Sequence, residues 1–253
     1  MTEVARHEYC AVALADALRG SGEILVSPIG TLPSIGARLA KLSCEPGLLL
    51  TDGIATLMAN VPALGADASE VIAEGHMPYR RVFDVVWSGR RHVIMGAGQI
   101  DRFGNQNISA VGDWAKPSAQ LLGMRGAPGN TLNHATSYFI PNHSRRVFVE
   151  KVDVVSGVGY DRARALGPLA SRFHRLVRVV SNLGVFDFES ADNSMRVRSL
   201  HPGVSFAEVQ EATGFALGRA DDLGPTRTPS SEELRLLREV IDPRGLGKKE
   251  LAA

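Results

Sequence analysis

The sequence predicts one α/β domain in which strands pair in parallel and helices cross between them. Three observations carry this. Helix-period and strand-length apolar runs alternate from the N-terminus, the order that parallel pairing with crossover helices requires. The 26 glycines gather in loops between short apolar runs, more than a helical bundle wants. Hydrophobic content of 44% with 22% charged residues over 253 positions is an ordinary globular balance with enough chain for a full core.

The elements follow in order. "EYCAVALADALRGSGE" places Ala11, Leu14, Ala15 and Leu18 at helical spacing, with Gly20 and Gly22 at its end. "EILVS" reads as a buried strand stopped at Ser27–Pro28, "LPSIGARLAKLS" as a second helix, and "GLLLTDG" as a strand entering a turn. "MPYRRVFDVVWSG" predicts another helix and "RRHVIMGAGQID" a strand leading to a turn. "NISAV", "RRVFVE", "VRVVSNLGVFDF" and "MRVRSLHPG" are further strand candidates. Capping boxes at Ser205/Glu208 and Ser230/Glu233 announce two late helices. Residues 242–253 read as a tail or a partner-contacting arm. No repeat, linker or domain boundary interrupts 1–253.

Charge and cysteine usage narrow the function classes. A net charge of +1 gives no global electrostatic case for nucleic acid or an anionic membrane. Arg145–Arg146 and Lys248–Lys249 read as solvated surface. Cys10 and Cys44 are too few for a disulfide framework. The opening "MTEVARHEYC" has acids and no long apolar run, which predicts a cytoplasmic protein without signal peptide or membrane anchor.

Two polar, glycine-rich stretches are candidates for chemistry. "GAGQIDRFGNQNIS" packs Asp101, Asn105, Gln106 and Asn107 around Gly96, Gly98 and Gly104. Glycines admit a ligand to the backbone and short amides both donate and accept. The third glycine of a dinucleotide fingerprint is missing, and a polar β-hairpin is the competing reading. In "GMRGAPGNTLNHATSYF", Gly126, Gly129 and Asn130 offer backbone N–H groups to an oxyanion. Arg125 offers a two-pronged hold on an anion. His134 is either a proton carrier near neutral pH or a structural histidine held by Asn133 or a carbonyl. His92, His134 and His143 lack metal-ligand spacing, and no nucleophile elbow or phosphate loop is present. "DVVSGVGYD" reads as a plain loop.

At this point "GAGQIDRFGNQNIS", "RGAPGN", "VVSNLGVFDF" and "HPGVSFAEVQEATGFAL", with the opening "GEILVSP", resemble the β subunit of class I coenzyme A transferases of the glutaconate/3-oxoacid type. They fall in order across residues 22–217. The resemblance implies a CoA-transferase-like α/β fold with a mainly parallel sheet flanked by helices. It also implies a homologous α subunit and an active site at their interface. In that family a glutamate in a Glu-Ser/Asn-Gly turn attacks the acyl-CoA thioester. Aligned on Gly53, its position holds Thr51, with Asp52 next to it. Pro128 likewise replaces a glycine of the family's glycine turn.

These departures, with "LLLTDG", "DRFGNQNIS" and "GNTLNHATSYF", are similar to a smaller branch of the family, the β subunits of steroid ring-cleaving hydrolases. That branch implies hydrolysis of a ring carbon–carbon bond in a cyclic keto-acyl-CoA, in cholesterol degradation, with the thioester kept. The base would come from the α subunit, in an αβ pair built into a larger particle. CoA would be part of the substrate, with no separate cofactor and no metal. On this reading Arg125 holds an anionic or enolate oxygen. Asn105, Gln106, Asn130, Asn133 and His134 orient water and carbonyl groups. Gly98, Gly126 and Gly129 give close access, and Thr51, Asp52 and Gly53 line the old nucleophile pocket. Two alternatives stand beside it: a CoA transferase using Asp52 as a displaced nucleophile, and a non-catalytic partner that completes the α subunit.

Overall fold

The N-terminal apolar spacing forms α1 (Arg6–Asp16), and "LPSIGARLAKLS" lies in α2 (Thr31–Leu42). Cys10, Leu14, Leu32, Ile35 and Leu39 are buried along these helices. Gly36 lets the two approach: a Cβ there would stand 2.6 Å from the Leu14 Cβ and 3.1 Å from the Ala11 carbonyl oxygen. Each buried leucine removes enough apolar surface to contribute about 1.5–3 kcal/mol.

This computed structural model describes residues 3–85 and 88–251. They form two units: residues up to 95 together with those from 227 on, and residues 96–226. In the first unit β1 (Leu25–Pro28) pairs in parallel with β4 (Arg91–Met95). The "GLLLTDG" stretch is extended but makes only single bridges, Leu49 to Leu25 and Thr51 to Leu57. β2 (Thr56–Met58) and β3 (Ala73–His76) form an antiparallel pair. The helix expected over "MPYRRVFDVVWSG" is a 3₁₀ helix at Tyr79–Val85, and Val86 and Trp87 fall outside the described residues.

The Ser230/Glu233 box opens α6 (Ser231–Arg235): the Glu233 N–H donates to Ser230 Oγ (3.1 Å) and the Ser230 N–H to Glu233 Oε2 (2.7 Å). The chain continues in a π-helical turn to Ile241. The stretch read as a tail carries α7 (Leu246–Leu251). Asp242 receives the Leu246 and Gly247 N–H groups at 2.8 Å each. Glu250 receives those of Thr31 (3.3 Å) and Leu32 (2.5 Å). The first turn of α2 needs acceptors, its N-cap Gly30 has no side chain to give, and the Glu250 carboxylate supplies them. That demand, invisible in local sequence, docks the C-terminal segment.

The second unit begins with two hairpins, β5 (Gln99–Ile100) with β6 (Gln106–Asn107), and β7 (Ala110–Val111) with β8 (Ala119–Gln120). A short helix, α3 (Ala127–Asn133), leads into β9 (Ala135–Ile140). β9 pairs in parallel with β10 (Arg175–Ser181), beyond α4 (Tyr160–Ala165). β11 (Gly184–Asp187) returns antiparallel to β10, and β12 (Arg196–Leu200) antiparallel to β11. The Ser205/Glu208 box opens α5 (Phe206–Glu211), the crossover to β13 (Gly218–Pro225), which is parallel to β12. The fold is α/β, its long strands pairing mainly in parallel.

"NISAV" yields no single strand, only Asn107 at the end of β6 and the two residues of β7, and "RRVFVE" yields no strand. Phe148 is wholly buried and bridges Ile100 at one point only. Its ring stacks on His143 at 3.6 Å. The apolar run there fills core instead of extending a ladder. His143 sits between Ser181 Oγ (3.0 Å from Nδ1) and Thr213 Oγ1 (2.9 Å from Nε2). Because the Thr213 hydroxyl donates to the Val209 carbonyl (2.7 Å), Nε2 carries the proton and donates. Burial lowers the pKa of His143 to about 3, so the ring is neutral.

Candidate functional site

The "GAGQIDRFGNQNIS" stretch is the polar hairpin that competed with a ligand loop, and Asp101 is its hub. Its Oδ1 accepts the N–H groups of Phe103 and Asn105, both at 3.0 Å. Burial raises the Asp101 pKa, the hydrogen bonds from Asn105 oppose that rise, and the Asp161 charge adds to it. Asn105 is 1% exposed and its carboxamide is committed. Nδ2 donates to Asp101 Oδ2 and to Asp161 Oδ1, each at 2.9 Å, and Oδ1 accepts the Gly159 N–H at 2.8 Å. With both amide hydrogens used, Asn105 has no donor left for water or a substrate carbonyl, so we assign it to holding the turn. Asn107 is likewise spent on Gln99 (2.8 Å) and the Ala110 carbonyl (2.7 Å).

Gln106 differs. Its backbone pairs with Ser156 and Gly157, and Nε2 donates to the Gly96 carbonyl. Its Oε1 is buried and has no donor among the described residues. Gly157 is the meeting point of hairpin and α3. A Cβ there would lie 2.6 Å from Gln106 Oε1 and 3.1 Å from Thr131 Cγ2. Thr131 Oγ1 takes the Val158 N–H at 2.9 Å, and its carbonyl faces His174 Nδ1 at 2.7 Å. A carbonyl only accepts, so Nδ1 is protonated there. Burial lowers the His174 pKa against that hydrogen bond, leaving Nε2 as a lone-pair nitrogen.

Arg125 enters α3 in the left-handed region, φ +46°. Such a conformation costs a non-glycine residue of order 1 kcal/mol and collects at functional sites. Its side chain is exposed, touches the Leu122 carbonyl through Nε (3.3 Å), and makes no ion pair among the described residues. Gly126 is the N-cap and Pro128 lies in the first turn. The Ala127 and Asn130 N–H groups are used locally, on Met124 (3.0 Å) and Gly126 (2.9 Å). Asn133 turns its amide back on the Gly129 carbonyl (3.0 Å), which occupies one of its two donor hydrogens. His134 is wholly buried at the C-cap. Asn130 is half-buried. Gly98 serves packing: a Cβ on it would meet the Leu121 Cδ1 at 2.7 Å.

In the first unit, half-buried Thr51 leads into a turn at exposed Asp52 and Gly53. Asp52 Oδ1 gathers the N–H groups of Ile54 (2.8 Å), Ala55 (2.9 Å) and Thr56 (3.0 Å). Desolvation pushes its pKa up, but those amides, Thr56 first, prevail and hold it below the ordinary carboxylate value. Gly53 has φ +83° and donates its N–H to Thr51 Oγ1 at 3.2 Å.

Sequence reasoning misses Gly157, Gly159, Asp161, Thr131 and His174. The first three stand in "SGVGYD", which reads as a loop because it lacks a nucleophile elbow. Its paired glycines are the available signal, since a Cβ at Gly159 would lie 2.5 Å from the Asn105 nitrogen. Among the described residues no group of three or more His, Cys, Asp or Glu side chains could hold a metal ion. No helix there is long and apolar enough to cross a membrane.

Fold and motifs together define a CoA-transferase-type β subunit. No family model matches the chain. It is 58% identical over 252 residues to the cholesterol ring-cleaving hydrolase IpdB subunit of Rhodococcus jostii, spanning 100% of this chain and 98% of that one. It is 32% identical over 250 residues to the β subunit of the 3-oxoadipate CoA-transferase of Pseudomonas knackmussii, spanning 95% and 94%. The crystal structure of Rhodococcus jostii IpdAB superposes with a TM-score of 0.94 at 57% identity, covering all of both chains. The chain belongs to the CoA-transferase β-subunit family, in the branch of the IpdB subunits of cholesterol ring-cleaving hydrolase.

Proposed function

We propose that this chain is the β subunit of a two-subunit hydrolase that opens a ring of a cyclic keto-acyl-CoA during steroid degradation. The observation that carries the reading is the 58% identity to an IpdB subunit over the full chain. The turn at residues 51–53 agrees with it, because the position that resembles the transferase nucleophile holds Thr51.

Water adds to a ring ketone that has a second carbonyl two carbons away. The carbon–carbon bond between them then breaks. One end becomes a carboxylate, and the electron pair leaves on the other as an enolate, which takes a proton to become a ketone. The CoA thioester is untouched and no cofactor is needed. An acid of the homologous α subunit is the base. Arg125, which makes no ion pair among the described residues, holds the enolate oxygen. Gln106 gives its free Oε1 to orienting water, directly or through a hydrogen-bonded chain. Asn130, Asn133 and His134 position the Arg125 segment, and Gly126 and Gly129 keep it open. Thr51, Asp52 and Gly53 line the acyl-CoA channel. The full-length matches support reading 1–253 as one β-subunit-like domain. We place the αβ assembly in the cytoplasm, in keeping with free Cys10 and Cys44.

The test is turnover of a bicyclic keto-acyl-CoA by the co-expressed αβ complex in ¹⁸O-labelled water, read by mass spectrometry. A product heavier by one labelled water, CoA still attached, with no requirement for an acceptor acid, is expected. CoA moving to an added carboxylic acid would overturn the hydrolase reading. Unchanged kcat and KM in Arg125→Ala would remove that residue's role.

A further inference from the structure

The segment between β8 and α3 presents apolar surface in a controlled way. The Leu121 N–H donates to the Ser109 carbonyl (2.9 Å) and the Gly123 N–H to that of Ile108 (2.8 Å). The Gln120 amide adds a contact to the Ser109 carbonyl at 3.2 Å. Leu121 reaches into the space that Gly98 leaves. Its neighbours do the opposite: Leu122 is 74% exposed and Met124 41%. Gly123 at φ +89° and Arg125 at φ +46° fix the path between and beyond them. The Arg125 Nε contact to the Leu122 carbonyl (3.3 Å) ties the cation to this apolar pair. Main-chain bonds and the inward-turned Leu121 therefore hold two large apolar side chains out on the segment that carries Arg125, whose guanidinium makes no ion pair among the described residues.

We propose that Leu122 and Met124 form the apolar wall that receives the hydrocarbon rings of the acyl-CoA substrate, with Arg125 at its polar end. The inference rests on the ring-hydrolase reading, and it names what in this chain selects a ring-bearing acyl group over a short one. The chemistry matches in kind, an apolar body beside an oxygen anion meeting two apolar side chains beside a cation. The scale matches too. A stable protein–protein interface buries about 800 Å² per partner, far more than these two side chains present, whereas a bicyclic body is covered by a few side chains.

The αβ complex is titrated calorimetrically with a bicyclic keto-acyl-CoA and with acetyl-CoA, as wild type and as Leu122→Ala/Met124→Ala. The Kd for the bicyclic thioester should rise about 10-fold, the range for removing a few methylene contacts, while that for acetyl-CoA and the mass of the complex stay unchanged. Leu122→Met, which keeps apolar volume, should bind both thioesters like wild type. Equal weakening of both thioesters, or weakening of neither, overturns the wall. Loss of the α subunit from the double variant overturns it as well and assigns these side chains to subunit docking. Selective binding by a wild-type complex that releases no ring-opened product supports the wall and sinks only the hydrolase reading.

Discussion

Replacing Asn105 with alanine separates the two tasks a buried amide can have. The side chain makes three contacts: to Asp101 at 2.9 Å, to Asp161 at 2.9 Å, and from the Gly159 N–H at 2.8 Å. Hydrogen bonds to charged groups contribute about 1.5–3 kcal/mol each, and an orphaned buried N–H costs about 1–3 kcal/mol. These share one network and do not add, so the expected loss is about 3–5 kcal/mol. Urea unfolding of the αβ complex measures it. The loss should also depend on pH. Asp101 has a folded pKa raised by burial. Its favourable contribution is full below the unfolded value of about 3.9 and is lost as pH rises through the folded pKa. Without Asn105 that pKa rises further, so the variant goes on losing stability after the wild type has levelled off, and the gap between them widens as pH rises past the wild-type folded pKa. Turnover should fall only in step with the folded fraction. A stability loss below about 1 kcal/mol together with collapsed kcat would refute the reasoning and return Asn105 to the substrate.

Three further outcomes are expected. Gly36→Ala forces a Cβ to within 2.6 Å of Leu14 Cβ; overpacking of this kind costs about 1–3 kcal/mol, and a thermal melt at or above the wild-type midpoint would contradict it. His143, with its pKa lowered to about 3, stays neutral in the fold while the unfolded chain protonates below about 6.5. Its contribution is present above that value and is lost as pH falls towards the folded pKa, so urea midpoints should drop over that window and His143→Gln should flatten the drop. Hydroxylamine added after acyl-CoA exposure should leave activity intact; inactivation traced by mass to Asp52 would restore covalent transfer.

Elements with a local cause are legible in the sequence. The capping boxes at Ser205 and Ser230 announce themselves because both partners lie within three residues. The spacing of Leu14 and Leu18 reports a buried face directly. What escapes such reading depends on distant partners. Phe148 has the pattern of a strand residue, yet its place is decided by His143 and the core beneath. The C-terminal stretch reads as a tail because the N–H groups that Glu250 satisfies lie over two hundred residues away in sequence. The candidate site divides the same way. Arg125 is legible as an exposed cation in a glycine-rich stretch. Asn105 reads as a ligand group, since nothing local says that Asp161 and Gly159 consume its hydrogen bonds. The fourth residue of that network, Asp101, is visible beside it, but a carboxylate next to an amide fits either role.

The turn at residues 51–53 explains in physical terms why the neighbouring acid does not replace the missing glutamate. A nucleophilic carboxylate must offer an electron pair that its surroundings leave available. Three backbone N–H groups converge on Asp52 Oδ1 and depress the pKa, which is the same stabilisation seen from the side of the proton. Attack on a thioester would have to give up part of that stabilisation. Asp52 is also one position along from Thr51, and its side chain is turned back on the amides that follow it. Thr51 itself offers a hydroxyl that already accepts the Gly53 N–H and stays protonated at neutral pH. Both features count against either residue as the carrier of a covalent CoA intermediate, which is what the hydroxylamine experiment checks. A nucleophile taken from water is what the proposed hydrolysis requires, and a turn that withholds its own carboxylate agrees with that proposal.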